Sequence, residues 1–141
     1  MHNMGANIIN REKKRVSFRV FAWNRKEVSV VIKNGREVKV IPLSEEEPHV
    51  FGISLEVPRL DLLYKFRLDE EGDFPDPYSH YQPQGVHGFS RLVDHAAYRW
   101  QDGHWKGRNL EELVIMEIHV GTFTPAGTFK ALAGRLDYLL E

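Results

Sequence analysis

Between residues 16 and 68 apolar side chains recur at every second position, and this period of two constrains the fold more than any other feature. Side chains of a β-strand point alternately to its two faces, so each run has one apolar face and one polar face. Turn residues close the runs about every 8–12 residues, as in antiparallel sandwiches. The runs cover residues 16–22, 28–32, 38–40, 51–57 and 62–68. This pattern predicts a mainly β fold, an antiparallel β-sandwich.

The connections between these runs are predicted from turn chemistry and charge. Asn34 and Gly35 form the dipeptide that favours a two-residue hairpin turn, in which both central residues have positive φ. Two short charge runs, at residues 13–15 and 45–47, are predicted to be solvated loops.

Composition and charge exclude several classes of partner. The chain has 141 residues, of which 42% are hydrophobic and 28% charged, as in globular domains. A formal net charge of −1 gives no attraction to nucleic acid or to an anionic membrane. No apolar stretch approaches the roughly 20 residues of a membrane span. The absence of cysteine excludes disulfides, and together with the lack of a signal peptide it predicts a cytoplasmic protein.

Residues 73–112 have a different composition, rich in proline, glycine and aromatic residues. Proline favours extended backbone, and aromatic residues are rare in flexible linkers. We therefore expect a connector that lies over a surface and joins the sandwich to a neighbour. Trp100 and Trp105 are the candidate carbohydrate-binding residues, because aromatic faces suit the apolar faces of glucose, and the alternative is packing at a domain interface. Trp23, at a strand end, is predicted to pack at a domain interface, with sugar stacking as the alternative.

Residues 113–141 read as one βα unit. The mostly apolar run from Val114 to Val120 ends at Gly121 and is typical of a parallel strand buried on both faces. After a loop at 122–127, apolar residues take helical spacing. They are Phe129, Leu132, Leu136, Leu139 and Leu140. A parallel strand needs parallel neighbours, so Val114–Val120 could pair with a second copy through its open edge.

Two stretches together resemble one enzyme family. Residues 76–90 read DPYSHYQPQGVHGFS, and residues 117–129 read EIHVGTFTPAGTF. Both are similar to segments of malto-oligosyltrehalose trehalohydrolases, members of the α-amylase superfamily. The resemblance implies an immunoglobulin-like β-sandwich at 1–72, a connector at 73–112, and the first strand and helix of an incomplete (β/α)8 barrel at 113–141. Glycogen branching enzymes share this layout and are the nearest alternative.

The chain departs from the family pattern at two places. Residues 21–24 read FAWN, without the proline of the usual Trp-Ala-Pro, and residues 116–119 read MEIH instead of Tyr-Glu-Leu-His. These are apolar exchanges that leave the predicted fold intact. His119 and Glu117 are predicted to be structural residues of the barrel strand.

The resemblance implies retaining hydrolysis of α-1,4-glucosidic bonds in maltooligosyl-trehalose, with release of trehalose. That chemistry needs two carboxyl groups about 5 Å apart. The family carries them on later barrel strands, so we predict no catalytic residue in this chain and no activity on its own. We also predict no metal site and no cofactor, since no spaced ligand motif is present.

Three functions remain open at this point. The chain could be the N-terminal fragment of such a hydrolase, a stand-alone α-glucan-binding module, or one part of a split hydrolase. The expected partners are α-glucan or maltooligosyl-trehalose. A binding module has no use for a buried parallel strand, so residues 113–141 favour the hydrolase readings.

Overall fold

A computed structural model describes the backbone of residues 3–140 and the side chains of residues 3–139. The chain divides into two compact units. The first unit runs to Arg99 and the second begins at Trp100. Each unit is described by itself.

The first unit is built from two antiparallel sheets. One sheet has the strand order β1-β2-β6-β5. Its strands are β1 (Gly5–Asn10), β2 (Arg15–Phe21), β5 (Ser44–Glu47) and β6 (Val50–Glu56). The other has the order β4-β3-β7-β8, with β9 also paired to β7. Its strands are β3 (Val28–Asn34), β4 (Glu37–Pro42), β7 (Leu63–Leu68), β8 (Gly72–Phe74) and β9 (Ser90–Arg91).

The core lies between the two sheets and follows the alternation in the sequence. Alternate residues of β2, β3 and β7 point inward and are buried. They are Val16, Phe18, Val20, Val28, Val30, Ile32, Tyr64 and Phe66. The Phe18 and Tyr64 rings meet edge to face across the sheets, with centroids 5.3 Å apart. The predicted mainly β, antiparallel sandwich is confirmed.

Strand β5 corrects one prediction. The acidic run at 45–47, predicted to be a solvated loop, lies in this edge strand and pairs with β6. The strand has no apolar alternation because both of its faces are exposed. Arg19, buried on β2, contacts Glu46 at 2.7 Å and Glu47 at 3.0 Å, so the acidic side chains balance a buried cation.

The β3–β4 hairpin turns one residue later than predicted. Asn34 is the last residue of β3 and pairs with Glu37, so Gly35 and Arg36 are the central residues. Gly35 has a φ of +63°, a conformation that glycine adopts without steric cost.

The second unit contains short helices. They are α1 (Val120–Phe123) and α2 (Phe129–Ala133), with 3₁₀ turns at Leu110–Glu112 and Leu136–Leu140. A further 3₁₀ turn, His95–Ala97, belongs to the first unit. Thr128 caps α2 by accepting a hydrogen bond from the Ala131 N–H, at 3.2 Å. Over the described part of the chain, no helix has the length and apolar character needed to cross a membrane.

The tail differs from the predicted βα unit. Helix α2 begins at Phe129 as the spacing predicts, but the residues preceding α1 form no strand, and α1 occupies the start of the predicted loop. Val114 is 99% exposed. The physical reason is that a parallel strand forms only when neighbouring strands supply its hydrogen bonds, and the described part of the second unit has none.

The two glycines Gly5 and Gly35 make a matched pair for testing how β1 is held. Both have positive φ, +80° and +63°. A Cβ on Gly5 would lie 3.1 Å from Asp76 Oδ2 and 3.1 Å from the Tyr78 Cβ, whereas a Cβ on Gly35 would meet nothing within 4 Å.

We expect Gly35→Ala to lower the free energy of unfolding by about 1–2 kcal/mol through left-handed strain alone. Gly5→Ala adds a steric conflict with buried atoms and should cost about 1–3 kcal/mol more. Urea unfolding of both variants measures the difference. Equal losses would show that β1 does not approach the connector closely.

Candidate functional site

The segment that follows β8 is anchored in the sandwich by a buried carboxylate. Asp76 is 2% exposed and accepts a hydrogen bond from the Tyr64 hydroxyl, 2.6 Å from its Oδ2. Its Oδ1 accepts from the Tyr78 N–H at 2.8 Å. Its own N–H donates to the hydroxyl of Ser90, which is also buried, at 3.0 Å. These contacts, named here the Asp76 clamp, join both ends of the 76–90 motif to β7.

Burial controls the ionisation of this clamp. It raises the pKa of Asp76, and the hydrogen bonds from Tyr64, Tyr78 and the Ala6 backbone offset only part of that effect. Burial also raises the pKa of Tyr64, as does the nearby Asp76 charge. The phenolic proton therefore stays on Tyr64, which is the donor of the pair.

A polar cleft of about 470 Å³ lies beside the clamp in the first unit. Arg11 closes one side through an ion pair with Asp94, at 2.8 Å, and a hydrogen bond to the Ala96 carbonyl. The His80 Nδ1 and His95 Nε2 atoms lie 2.7 Å apart, so one ring donates and the other accepts.

The cleft lacks the groups that glycoside hydrolysis needs. Among the described residues that line it, Asp94 is the only carboxylate, and Arg11 already binds it. Two carboxyl groups are required for that reaction. Nor do the described residues include a group of three or more side chains that could hold a metal ion.

A second feature of the first unit is a cluster of aromatic rings at one end of the β2–β6 pair. The Trp23 and His49 rings lie 4.3 Å apart, centroid to centroid. The Phe21 ring lies 6.5 Å from Trp23 and is tilted from it by only 32°. Trp23 is 67% exposed and Phe21 is 47% exposed. We call Phe21, Trp23 and His49 the aromatic platform.

The backbone holds the platform in place. Phe21 is the last residue of β2 and pairs with Val50 of β6. The Ala22 N–H donates to the His49 carbonyl at 2.8 Å. The His49 N–H donates to Glu45 Oε1, also at 2.8 Å.

Trp23 was predicted to pack at a domain interface, and that stays a prediction, because within the first unit the residue is 67% exposed. Its ring contacts the exposed ring of Phe21 and the half-buried ring of His49 and remains largely open to solvent. The alternation alone could not reveal this cluster, because the same strand face carries Arg19, which is buried.

Trp100 and Trp105 lie in the second unit, and both are largely exposed. Glu117 and His119 are exposed as well, so neither occupies a barrel interior here. The His119 Nδ1 lies 3.1 Å from the Thr122 hydroxyl, which agrees with a role in ordering the following segment.

A small antiparallel sandwich that presents aromatic rings at one end of a sheet is an arrangement suited to binding carbohydrate. Residues 3–81 match the family model for carbohydrate-binding module 48, described as the isoamylase N-terminal domain. The match covers more than half of the chain, which therefore belongs to that family.

The curated relatives are malto-oligosyltrehalose trehalohydrolases. The protein from Rhizobium sp. (strain M-11) is 54% identical over 80 residues, which are 56% of this chain and 13% of the relative. The protein from Arthrobacter ramosus is 41% identical over 128 residues, which are 88% of this chain and 22% of the relative. The chain thus spans less than a quarter of the length of these relatives.

A solved structure extends the similarity through both units. The crystal structure of a proposed alpha amylase from Salmonella typhimurium has a TM-score of 0.86 and 32% identity. The match covers 99% of this chain and 23% of that protein.

The clamp makes a prediction with a defined pH dependence. Asp76→Asn replaces one acceptor oxygen with an amide that faces a donor, so at pH 7 the free energy of unfolding should fall by about 1–3 kcal/mol. The raised pKa of Asp76 means that the folded protein holds this proton more tightly than the unfolded chain. The stability that this proton contributes is fully present below the ordinary aspartate pKa of 3.8. It is lost as the pH rises through the raised pKa that Asp76 has in the folded protein.

The stability advantage of the natural protein over Asp76→Asn should therefore grow as the pH is lowered from 7 to 4. Urea unfolding at several pH values measures it. Asp73→Asn is the matched control, because Arg67 lowers the pKa of Asp73 and the advantage over that variant should shrink at low pH. An advantage over Asp76→Asn that also shrank would contradict the assignment.

Proposed function

We propose that this chain serves as the N-terminal region of a trehalohydrolase-type glycoside hydrolase of the cytoplasm. The enzyme would act on α-1,4-glucosidic bonds of maltooligosyl-trehalose. The alignment with the Arthrobacter ramosus relative supports this proposal because it covers 88% of the chain, well beyond the carbohydrate-binding module.

The Asp76 clamp is the observation on which the proposal rests. It holds the 76–90 segment against the sandwich through buried polar contacts, at the point where the chain leaves the module. Buried, satisfied hydrogen bonds give such a segment one orientation. In this proposal the sandwich aims the connector, residues 73–112, at a catalytic barrel whose first strand and helix come from residues 113–141.

Glucan binding is the second part of the proposal. The family match to a carbohydrate-binding module supports it. Trp100 and Trp105 remain proposed contacts, since a stacking residue must expose its ring and both do. A stand-alone α-glucan-binding module is the alternative function that the same match favours.

We expect the 141-residue chain alone to release no trehalose from maltooligosyl-trehalose. A pair of carboxyl groups across the scissile bond is required, and the polar cleft offers one carboxylate, already paired. The measurement is trehalose release against a buffer blank. Release above that blank would contradict the proposal.

The positive test is a chimera in which this chain replaces the aligned region of the Arthrobacter ramosus relative. If the chain has the proposed role, the chimera should release trehalose from maltooligosyl-trehalose as its parent does. Asp76→Ala in the chimera should lower trehalose release, whereas Asp102→Ala, at an exposed position of the second unit, should not. A folded but inactive chimera beside an active parent would contradict the hydrolase role.

Self-association through Val114–Val120 is a further part of the proposal. Three successive apolar residues, Val114, Ile115 and Met116, are exposed, and such runs template association. Sedimentation velocity should show a concentration-dependent dimer that Ile115→Asp abolishes. Val86→Asp is the control, because Val86 is a comparably exposed residue of the first unit. A strict monomer at all concentrations would contradict association.

A further inference from the structure

We propose that the aromatic platform, Phe21, Trp23 and His49, is a binding surface for a linear α-1,4-glucan chain. The inference deepens the proposed function and rests on its glucan-binding part. It places the contact on the sandwich itself, outside the second unit that contains Trp100 and Trp105.

The ring geometry fits stacking against sugar. The Phe21 and Trp23 ring planes are inclined by 32° with centroids 6.5 Å apart, so the two neighbouring rings are closer to parallel than to perpendicular. The face of an aromatic ring is electron-rich. It therefore attracts the slightly positive C–H groups on the apolar side of a pyranose. Two such faces side by side suit consecutive sugar units of one chain.

The platform is organised before any ligand arrives. His49 packs on Trp23 at 4.3 Å and meets Phe21 edge to face at 6.2 Å, which restrains both rings. The Ala22–His49 backbone hydrogen bond joins the two segments that present them. A ligand that binds pre-ordered rings does not have to immobilise them, which favours binding.

The surrounding charge separates a neutral sugar from the other common ligands of aromatic faces. Single-stranded nucleic acid also stacks on aromatic rings, but it requires a cationic groove. Here the nearby side chains are acidic. The Glu45 carboxylate accepts the His49 N–H, and Glu47, on the same edge strand, is exposed. Arg25 is already paired with Asp69 and Glu71.

The extent of the family match supports glucan as the occupant. All three platform residues lie within residues 3–81, the part of the chain that matches a carbohydrate-binding module. Trp100 and Trp105 lie outside that range. A binding surface that belongs to the module is expected inside its boundaries.

The test is to titrate the 141-residue chain with maltoheptaose and to monitor binding by calorimetry and by the NMR shifts of the indole N–H groups. We expect Trp23→Ala to weaken binding at least about tenfold and Phe21→Ala to weaken it less. Trp23→Tyr, which keeps an aromatic face, should restore part of the affinity. Cellohexaose, a β-1,4-linked chain of different curvature, should bind more weakly than maltoheptaose.

Matched controls are Phe129→Ala and Tyr138→Ala, which also remove an exposed aromatic ring. Each should leave platform binding within about twofold of the natural chain. The urea midpoint of Trp23→Ala should stay close to that of the natural chain, because an exposed ring adds little to the core.

Unchanged affinity in Trp23→Ala would overturn the inference. Loss of binding in Trp105→Ala or Trp100→Ala, with no loss in Trp23→Ala, would overturn it too. The natural chain would then still bind glucan, but at a different site. If the natural chain binds no maltoheptaose, the platform is not a glucan site. The activity of the chimera then decides the hydrolase role separately, since that assay does not depend on platform binding.

Discussion

The rest of the structure depends on how one buried carboxylate is satisfied. Asp76 lies in the interior of the first unit, where an unpaired charge would be costly. The Tyr64 hydroxyl and the Tyr78 N–H occupy its two oxygens, and its own N–H reaches Ser90. Because Ser90 belongs to β9, this set of bonds closes the segment 76–90 against β7. Gly5 of β1 approaches the same carboxylate closely, since a Cβ on Gly5 would lie 3.1 Å from Asp76 Oδ2.

In the first unit, the proposed glucan-binding surface and the clamp proposed to orient the connector are separate groups of residues. The clamp holds the exit of the sandwich, and the polar cleft beside it contains paired charges rather than reactive ones. The aromatic platform lies at an end of the β2–β6 pair, where backbone bonds restrain the rings and solvent reaches their faces. In the proposed function, the platform binds glucan and the clamp orients the connector.

The sequence predicted the strands that bury one face. Strands β2, β3, β6 and β7 follow the alternation within one or two residues, because burial selects apolar side chains at every second position. Strands β1, β5, β8 and β9 escaped prediction. They are short or lie at edges, and they are held by backbone hydrogen bonds that leave little trace in side-chain type. The contact between Trp23 and His49 was not predicted, because the two residues are 26 positions apart in the sequence.

By itself, the sequence determined the antiparallel sandwich, its core residues and the resemblance to trehalohydrolases, since hydrophobic period and local motifs are properties of neighbouring positions. Only the tertiary structure decided which distant groups meet. It placed Asp76 on Tyr64, brought His49 against Trp23, and set the acidic run of β5 on the buried Arg19. The same physics explains why residues 114–119 form no strand here. A parallel strand exists only with its neighbours, and the hydrogen bonds that define it come from elsewhere in space.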